Sequence, residues 1–395
     1  MGVVISLLGE NHEVSADNRP AMSRRGFLNV SAAGLGAVSA AGLAAACSGQ
    51  GGAVGGADHR GPASAGRDLA DLVLEAFKTH RLVGLGESHG LQNHHDVLDM
   101  LLTDPRLPEV VDDIIVEFGS ALYQPTMDRF IAGQPVSNAD LRPAWRNTTQ
   151  SPDATWDQPV YEQFFRTVRA VNWTLPPARQ VRVLLGDPPI DWSKITNGSQ
   201  LGDFMDQRDT HAASLVEEQV LRKGRRALLC YGAEHLFHST PENIVSIVEQ
   251  HTGERTYTIA DLLTLAGDPG DLATKLSPYP RNTTIPAQGT WLEAFDAGLV
   301  IAGGVTSGGP GKPTNRWCGM PLGSFLDAGL YLGQPEDLTA SWWNPAIYLD
   351  PAYWAELQRR NNLHGNIGNL DSYRQEQPTL YPQAKLPPSM ECGKV

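Results

Sequence analysis

Acidic and imidazole side chains recur directly after the short apolar runs of this sequence. A carboxylate beside an imidazole orients the ring and raises its basicity, which suits general acid–base catalysis. The same side chains could instead bind a divalent metal, because Zn, Mn and Fe accept imidazole nitrogen and carboxylate oxygen. The residues concerned are Glu87, His89, Glu117, Asp187 and His235.

The elements that must position these side chains are strands alternating with helices. Short apolar runs bounded by polar turns predict buried strands, and stretches with apolar residues three or four apart predict helices. The predicted strands are 81–86, 113–116, 181–185, 226–231, 256–259 and, as a sixth, 299–302. The predicted helices are 94–103, 122–132, 161–172, 201–221 and 240–251. This alternation indicates an α/β fold with a mostly parallel sheet flanked by helices.

The acidic and imidazole residues fall where such a sheet binds ligands. In parallel α/β sheets, ligands bind outside the carboxyl ends of the strands, so one shared pocket is expected there. The alternative is that these residues only cap helices and build turns. His94 and His95 follow on the first helix, and only one of two helix neighbours can face the pocket. Asp187 and His94 are candidates for substrate binding, and for His94 a solvated histidine is the alternative.

The first part of the chain predicts export. Arg24 and Arg25, followed by Gly-Phe-Leu and a small apolar stretch, resemble a twin-arginine signal within residues 1–46, and the true start could be Met22. Leu43-Ala-Ala-Ala-Cys47 resembles a lipoprotein cleavage box, so Cys47 is a candidate for lipidation. The alternative is plain cleavage nearby. Residues 47–66 form a Gly/Ala/Ser-rich tether.

Charge and cysteine content exclude several classes of protein. Lys and Arg total 31 and Asp and Glu total 44, a net charge of −13, so a basic face for nucleic acid is not expected. For the same reason, membrane contact is expected only through a lipid on Cys47. The 4 cysteines among 395 residues exclude a disulfide scaffold. The expected partners are a small-molecule or peptide substrate and the twin-arginine export machinery.

Residues 67–303 are predicted to form the α/β core, with an excursion near 137–158 that is rich in Asn, Pro and Trp. Beyond Gly303 the alternation of strands and helices weakens. The segment 304–395, rich in Trp, Pro and Gly, is predicted to wrap the core or to form a wall of the site. An alternative use for its tryptophans is an interaction surface.

Five short motifs, in order, resemble the erythromycin esterase and ChaN-like superfamily, to which Tiki and TraB-like proteins are related. They are Gly84-Leu-Gly-Glu87-Ser-His89-Gly90, Ile115-Val-Glu117-Phe-Gly119, Gly186-Asp187-Pro188, Arg208-Asp-Thr-His-Ala-Ala213 and Gly232-Ala-Glu-His235. The Glu-x-His spacing at 87–89 is closer to the ChaN pattern. The Arg208-Asp209 helix is closer to the esterase pattern.

The resemblance implies an α/β core and a pocket built from Glu87, His89, Glu117, Arg208 and His235. In the esterase branch, His89 would activate water, while His235 and Arg208 would position substrate or stabilise the oxyanion. In the ChaN branch, members are exported lipoproteins linked to haem or iron. Tiki and TraB-like relatives are held to be metal-dependent proteases.

Two functions are therefore expected as alternatives. The first is an exported hydrolase, in the cell envelope or secreted, that cleaves an ester, lactone or amide. Its Glu/His pocket could be assisted by Zn, Mn or Fe bound to Glu87, His89 and His235. The second is a haem- or iron-binding exported lipoprotein without turnover, in which His89, His94 or His235 would be axial ligands.

Overall fold

The computed structural model describes residues 66–264, 270–301, 305–306, 314–366, 368–375, 383–384 and 386. The predicted signal region 1–46, the candidate lipidation site Cys47 and nearly all of the tether lie outside the described residues, so these expectations stay predictions. Among the described residues, no helix has the length and apolar character needed to cross a bilayer.

A mostly parallel sheet forms the centre of the molecule and confirms the predicted α/β fold. The described strands are β1 (Arg67–Asp68), β2 (Leu82–Glu87), β3 (Asp113–Ser120), β4 (Arg182–Asp187), β5 (Ala227–Gly232), β6 (Thr256–Asp261), β7 (Thr283–Pro286), β8 (Val305–Thr306), β9 (Thr314–Asn315) and β10 (Ala328–Tyr331). Eight of them pair in the order β1-β7-β10-β6-β2-β5-β3-β4, while β8 and β9 pair with each other. The run from β10 to β4 is parallel, and β7 and β1 add antiparallel strands at one edge.

Helices pack on both faces of the sheet. They are α1 (Leu69–Ala76), α2 (Gln92–Thr103), α3 (Gln124–Ile131), α4 (Asn138–Leu141), α5 (Pro143–Arg146), α6 (Pro159–Trp173), α7 (Gly198–Met205), α8 (Arg208–Leu215), α9 (Ile244–Thr252), α10 (Gly270–Leu276), α11 (Ala346–Leu349), α12 (Pro351–Leu363) and α13 (Ser372–Gln375). Side chains of a strand alternate between faces. Ile114 and Val116 accordingly join the apolar cluster that includes α2 and α6, whereas Ile115 joins the cluster that includes α8 and α9. Burial on both faces explains why the strands read as continuous apolar runs.

The helix predicted over 201–221 is broken: α7 ends at Met205, and α8 begins at Arg208 and continues as a π-helix over Val216–Val220. Leu201 of α7 packs with Ile190 and Trp192 in one small cluster, whereas Ala212 and Ala213 of α8 pack against the sheet in another. One straight helix cannot serve both clusters, so the chain breaks between Met205 and Arg208. The break makes Arg208 and Asp209 the first residues of a new helix.

Two other element predictions are wrong in detail. The described part of the sixth strand predicted at 299–302 is not a strand, because Leu299 ends the 3₁₀ turn Ala297–Leu299 and Val300 and Ile301 lie in irregular backbone and are buried. Their apolar character reflects burial alone. Ala302 lies outside the described residues. The helix predicted from 240 begins at Ile244, where the Asn243 side chain and Ser246 form a reciprocal capping box.

Part of the segment expected to wrap the core enters the sheet instead. β10 lies between β7 and β6, although it comes after residue 303. Later in this segment, Trp354 and Leu357 of α12 pack with Ala154 of the excursion, which agrees better with the prediction that the segment wraps the core. The boundary at residue 303 stays a prediction. Cys230 is free and buried in β5.

Candidate functional site

The predicted pocket residues meet at the carboxyl ends of three neighbouring strands. β2 pairs with β5, and β5 pairs with β3. Glu87 is the last residue of β2, Glu117 lies in β3, and His235 ends the 3₁₀ turn Ala233–His235 that follows β5. Parallel pairing therefore brings together residues that are up to 148 positions apart in the chain (235 − 87).

Glu87 and His89 form the first carboxylate–imidazole pair. Nδ1 of His89 lies 2.9 Å from Oε1 of Glu87. The Glu87 side chain is 4% exposed, whereas the His89 side chain keeps 32% of its surface exposed. Trp156 packs edge-on against the imidazole, with 4.7 Å between ring centroids. His89 therefore has one ring nitrogen held by protein and a ring that solvent can reach.

Asp209 and His235 form a second pair of the same kind. Nδ1 of His235 lies 2.6 Å from Oδ1 of Asp209, a buried carboxylate in the first turn of α8. The His235 side chain is 22% exposed. The break before α8 makes this contact available, because it starts a new helix beside the end of β5.

Glu117 lies between the two imidazoles. Its Oε2 is 3.8 Å from Nε2 of His89, and its Oε1 is 3.5 Å from Nε2 of His235. The backbone N–H of Gly232 donates to Oε2 at 2.7 Å and fixes the carboxylate. A Cβ at residue 232 would lie 2.8 Å from Cε1 of His89, so this close approach requires glycine.

The charges of the site support one another. Burial alone would raise the pKa of Glu117, but His235 and His89 outweigh it and lower that pKa to about 2. Burial likewise opposes a lowered pKa for Glu87, yet His95 and His89 hold it well below its usual range. Both carboxylates are therefore ionised at neutral pH.

The pKa values of the two candidate catalytic histidines, His89 and His235, are raised to different extents. Burial would lower the pKa of His235, but Asp209 and Glu117 raise it well above its ordinary value. Burial would lower the pKa of His89 too, and the charge of Glu117 and the hydrogen bond to Glu87 raise it instead. His235 is thus the more firmly protonated ring. His89 is the ring that more readily gives up its proton.

Arg208 and Asp187 lie beside these pairs and are joined by Thr149 of the excursion. Thr149 donates through both its backbone N–H and its hydroxyl to Asp187, at 2.9 and 2.5 Å. Nε of Arg208 donates to that hydroxyl at 2.6 Å, and Nη2 donates to Gln150 at 2.9 Å. Asp187 is 4% exposed, and burial raises its pKa to about 7. Asp187, predicted to bind substrate, therefore directs its oxygens at Thr149.

His94 and His95 are both buried, which rules out the solvated histidine offered as an alternative. Nδ1 of His94 lies 3.0 and 3.1 Å from the two carboxylate oxygens of Asp261 and hydrogen-bonds this carboxylate. The substrate contact predicted for His94 stays a prediction. His95 faces the pocket instead, with Nε2 2.9 Å from Oε2 of Glu87. That contact is an ion-pair contact that is not aligned as a hydrogen bond.

Sequence reasoning missed several contributors to the site. Asp209 was visible beside Arg208 in the fourth motif, but nothing in the sequence indicated that it contacts His235. Tyr161 carried no signal that separates it from a core residue, and the sequence did not decide which of His94 and His95 faces the pocket. Asp261 ends β6 and matches the rule used for the other strands, so its position was the one available sign.

The predicted metal ligands Glu87, His89 and His235 lie in one site. Within the described ranges, no group of three or more His, Cys, Asp or Glu residues is spaced to hold a metal ion. Nδ1 of each histidine contacts a carboxylate, an arrangement that also orients metal-binding imidazoles, and Nε2 of each ring faces Glu117. Metal assistance therefore stays a prediction.

One of the three predicted axial haem ligands is enclosed by protein. His94 is 1% exposed, and its Nδ1 is bonded to Asp261. The side chains of His89 and His235 keep 32% and 22% of their surface exposed. Haem binding through these two rings stays a prediction.

Comparison with known proteins finds distant structural likenesses. No family profile and no curated protein matches the sequence. A Bacillus cereus protein of known structure is 10% identical with a TM-score of 0.45, over 71% of this chain and 95% of its own. A succinoglycan biosynthesis protein is 9% identical with a TM-score of 0.49, over 69% and 92%.

A third likeness is to ChaN of Campylobacter jejuni, a structure described by its cofacial haem binding. It is 14% identical with a TM-score of 0.33, over 49% of this chain and 85% of its own. At these identities and TM-scores, the likenesses carry no argument about site residues or activity. The resemblance to erythromycin esterases stays a prediction.

Proposed function

We propose that this protein is an exported hydrolase that cleaves an ester, lactone or amide by acid–base catalysis. The observation that carries the proposal is the pair of carboxylate–imidazole contacts, Glu87–His89 and Asp209–His235, in which the Nε2 atoms of both rings face Glu117. A carboxylate on Nδ1 fixes the tautomer and leaves Nε2 to exchange a proton with substrate or water.

His89 is the general base of this proposal. With Nδ1–H donated to Glu87, the neutral ring keeps Nε2 as a proton acceptor on the side of Glu117. A water oxygen attacks the carbonyl carbon and forms a C–O bond while its proton moves to Nε2. The π electrons of the carbonyl move to its oxygen, which becomes an oxyanion.

His235 is the partner that meets the developing negative charge. Its raised pKa keeps it protonated, so Nε2–H can donate to the oxyanion. When the oxyanion collapses, the bond to the leaving group breaks, and the proton on His89 passes to the departing oxygen or nitrogen. The products are an acid and an alcohol or amine, and both histidines return to their starting states.

Arg208 adds positive charge at the edge of the site. Its contacts through Nε and Nη2 are to the neutral oxygens of Thr149 and Gln150, which orient the guanidinium without neutralising it. We assign it to positioning the substrate or stabilising the oxyanion. Asp187 supports it through Thr149.

The test is turnover of a panel of p-nitrophenyl esters, lactones and amides by the mature protein and by His89→Ala. We expect the substitution to reduce kcat by about 10²- to 10⁴-fold, the usual contribution of a general base. His251→Ala is the matched control, because that ring lies on the surface, 56% exposed, and pairs with Glu217. Turnover retained in His89→Ala, at the level of His251→Ala, would overturn the assignment.

The haem-binding alternative is tested on the same samples. Haem titration that gives a Soret band, weakened by His89→Ala, together with no turnover across the panel, would replace the hydrolase proposal. A flat titration with turnover would retain it.

Export rests on the twin-arginine pattern, and a second observation supports it. Cys318 is disulfide-bonded, and disulfides persist mainly in oxidising compartments. The protein expressed with its own leader should appear outside the cytoplasm, and Arg24→Lys with Arg25→Lys should retain it inside. Labelling with a palmitate analogue, lost in Cys47→Ser, would separate lipidation from plain cleavage.

A further inference from the structure

Tyr161 lies directly behind the turn that carries His89. It is in the first turn of α6 and is fully buried. Its ring packs edge-on against His95 and Trp156, at 4.8 and 4.7 Å between centroids. Trp156 in turn packs against His89. The ring is therefore fixed by neighbours that belong to the site.

The Tyr161 hydroxyl ties the orienting carboxylate to the backbone of the turn. It accepts a hydrogen bond from the backbone N–H of Gly90 at 2.7 Å and donates to Oε1 of Glu87 at 3.0 Å. That same oxygen accepts Nδ1–H of His89 at 2.9 Å. Gly90 has φ +74° and follows His89 directly, so one hydroxyl connects both ends of the turn.

The second oxygen of Glu87 is held from α2. Nε2 of His95 lies 2.9 Å from Oε2, and both side chains are 4% exposed. The terminal torsion of a glutamate has a broad energy profile, so a carboxylate held at one oxygen can still rotate. Contacts at both oxygens remove that freedom.

We propose that Tyr161 is a positioning residue that acts, together with His95, through Glu87 to hold His89 with Nδ1 on the carboxylate and Nε2 toward Glu117. This inference rests on the proposed function for its effect on turnover. Its effect on the His89 ring does not depend on any substrate.

The decisive comparison is Tyr161→Phe with Tyr231→Phe. Each removes one hydroxyl from a buried tyrosine, but the Tyr231 hydroxyl makes no hydrogen bond within the described part of the chain. We expect Tyr161→Phe to lower kcat by about 10- to 100-fold, the usual loss of a hydrogen bond to a charged group, with KM changed less than about twofold. Tyr231→Phe should keep the wild-type kcat.

A spectroscopic measurement reads the positioning directly. In ¹⁵N-histidine spectra at a pH where the ring is neutral, His89 should show protonated Nδ1 in the wild type and in Tyr231→Phe. Tyr161→Phe should show a mixture of both tautomers. His95→Gln keeps a polar N–H group near Oε2 of Glu87 and should resemble the wild type. His95→Leu removes that contact and should resemble Tyr161→Phe.

The outcomes separate the two proposals. A wild-type protein that hydrolyses nothing in the panel removes the proposed function, and the ¹⁵N spectra still decide the role of Tyr161. Unchanged His89 signals in Tyr161→Phe and His95→Leu overturn the positioning role, as does a kcat equal to that of Tyr231→Phe. Should Tyr161→Phe fail to fold, the Gln and Leu variants of His95 give the same decision.

Discussion

Asp187 should make the stability of this protein fall as the pH rises through the neutral range. An aspartate in an unfolded chain has a pKa of about 3.9. Burial raises the pKa of Asp187 to about 7 in the folded protein, against the opposing effects of Arg208 and Thr149. Between these values the folded protein holds a proton that the unfolded chain lacks, so raising the pH favours unfolding.

The size of the effect follows from the difference between the two pKa values. About three pKa units at 1.36 kcal/mol each give roughly 4 kcal/mol, lost progressively between about pH 4 and pH 7 and constant above that range. Asp187 is 4% exposed, so solvent screening does not reduce this figure much. A loss of this size is a large part of the stability of a typical domain.

Asp187→Asn isolates this contribution, because an amide resembles the protonated carboxyl and does not titrate. Urea unfolding followed by circular dichroism at pH 4.5, 6 and 7.5 gives the free energy of unfolding of both proteins. The variant should gain on the wild type by roughly 3 kcal/mol between pH 4.5 and pH 7.5, because part of the total is lost below pH 4.5. Other groups titrate in both proteins, and their contributions cancel in the difference.

Asp191→Asn is the matched control, since Asp191 lies four residues away with its side chain 34% exposed. Ser193 and Lys194 lower its pKa, so it is already ionised over the whole range and its removal should leave the pH slope unchanged. Parallel curves for the wild type and Asp187→Asn would refute the reasoning. They would mean that Asp187 is ionised at pH 4.5, held so by Arg208 and Thr149.

Two further predictions concern His235 and the amino ends of the strands, opposite the site. Asp209→Asn should lower kcat by roughly 10²- to 10⁴-fold. It should also move the alkaline limb of the pH–rate profile to lower pH, because His235 loses the carboxylate that keeps it protonated; an unmoved limb would contradict the acid role of His235. Asp113 is fully buried between Arg182 and Arg225, with contacts of 2.6 Å to each. Asp113→Asn should cost about 2–3 kcal/mol in urea unfolding, below the usual cost of breaking a buried pair because the arginine side chains are 38% and 29% exposed. Turnover per folded molecule should not change. A loss of kcat would show that the amino ends of the strands are coupled to the site at their carboxyl ends.

The fold class and most of the pocket could be predicted from the sequence for one physical reason. A strand buried on both faces is largely apolar, so β2 to β5 each contain a short apolar run, whereas β6 alternates Thr with Tyr and Ile. The first polar residues after such a run mark the carboxyl end of a parallel strand. Glu87, Glu117 and His235 were located in this way.

Short strands and helix breaks were not predictable on the same basis. β7 and β10 have four residues each and include Thr or Gly, so they lack the long apolar run. β10 belongs to the sheet because a late segment of chain returns to pair with β6 and β7. The break before α8 depends on tertiary packing, because α7 and α8 pack into two separate apolar clusters.

The sequence by itself determined which residue types reach the site, because strand ends are local features of the chain. Only the tertiary structure decided which atoms meet. His95 rather than His94 faces Glu87, Asp209 serves His235, and Tyr161 reaches the His89 turn from another helix. Such contacts depend on rotations and spacings of packed helices of a few ångströms, which no local pattern in the chain encodes.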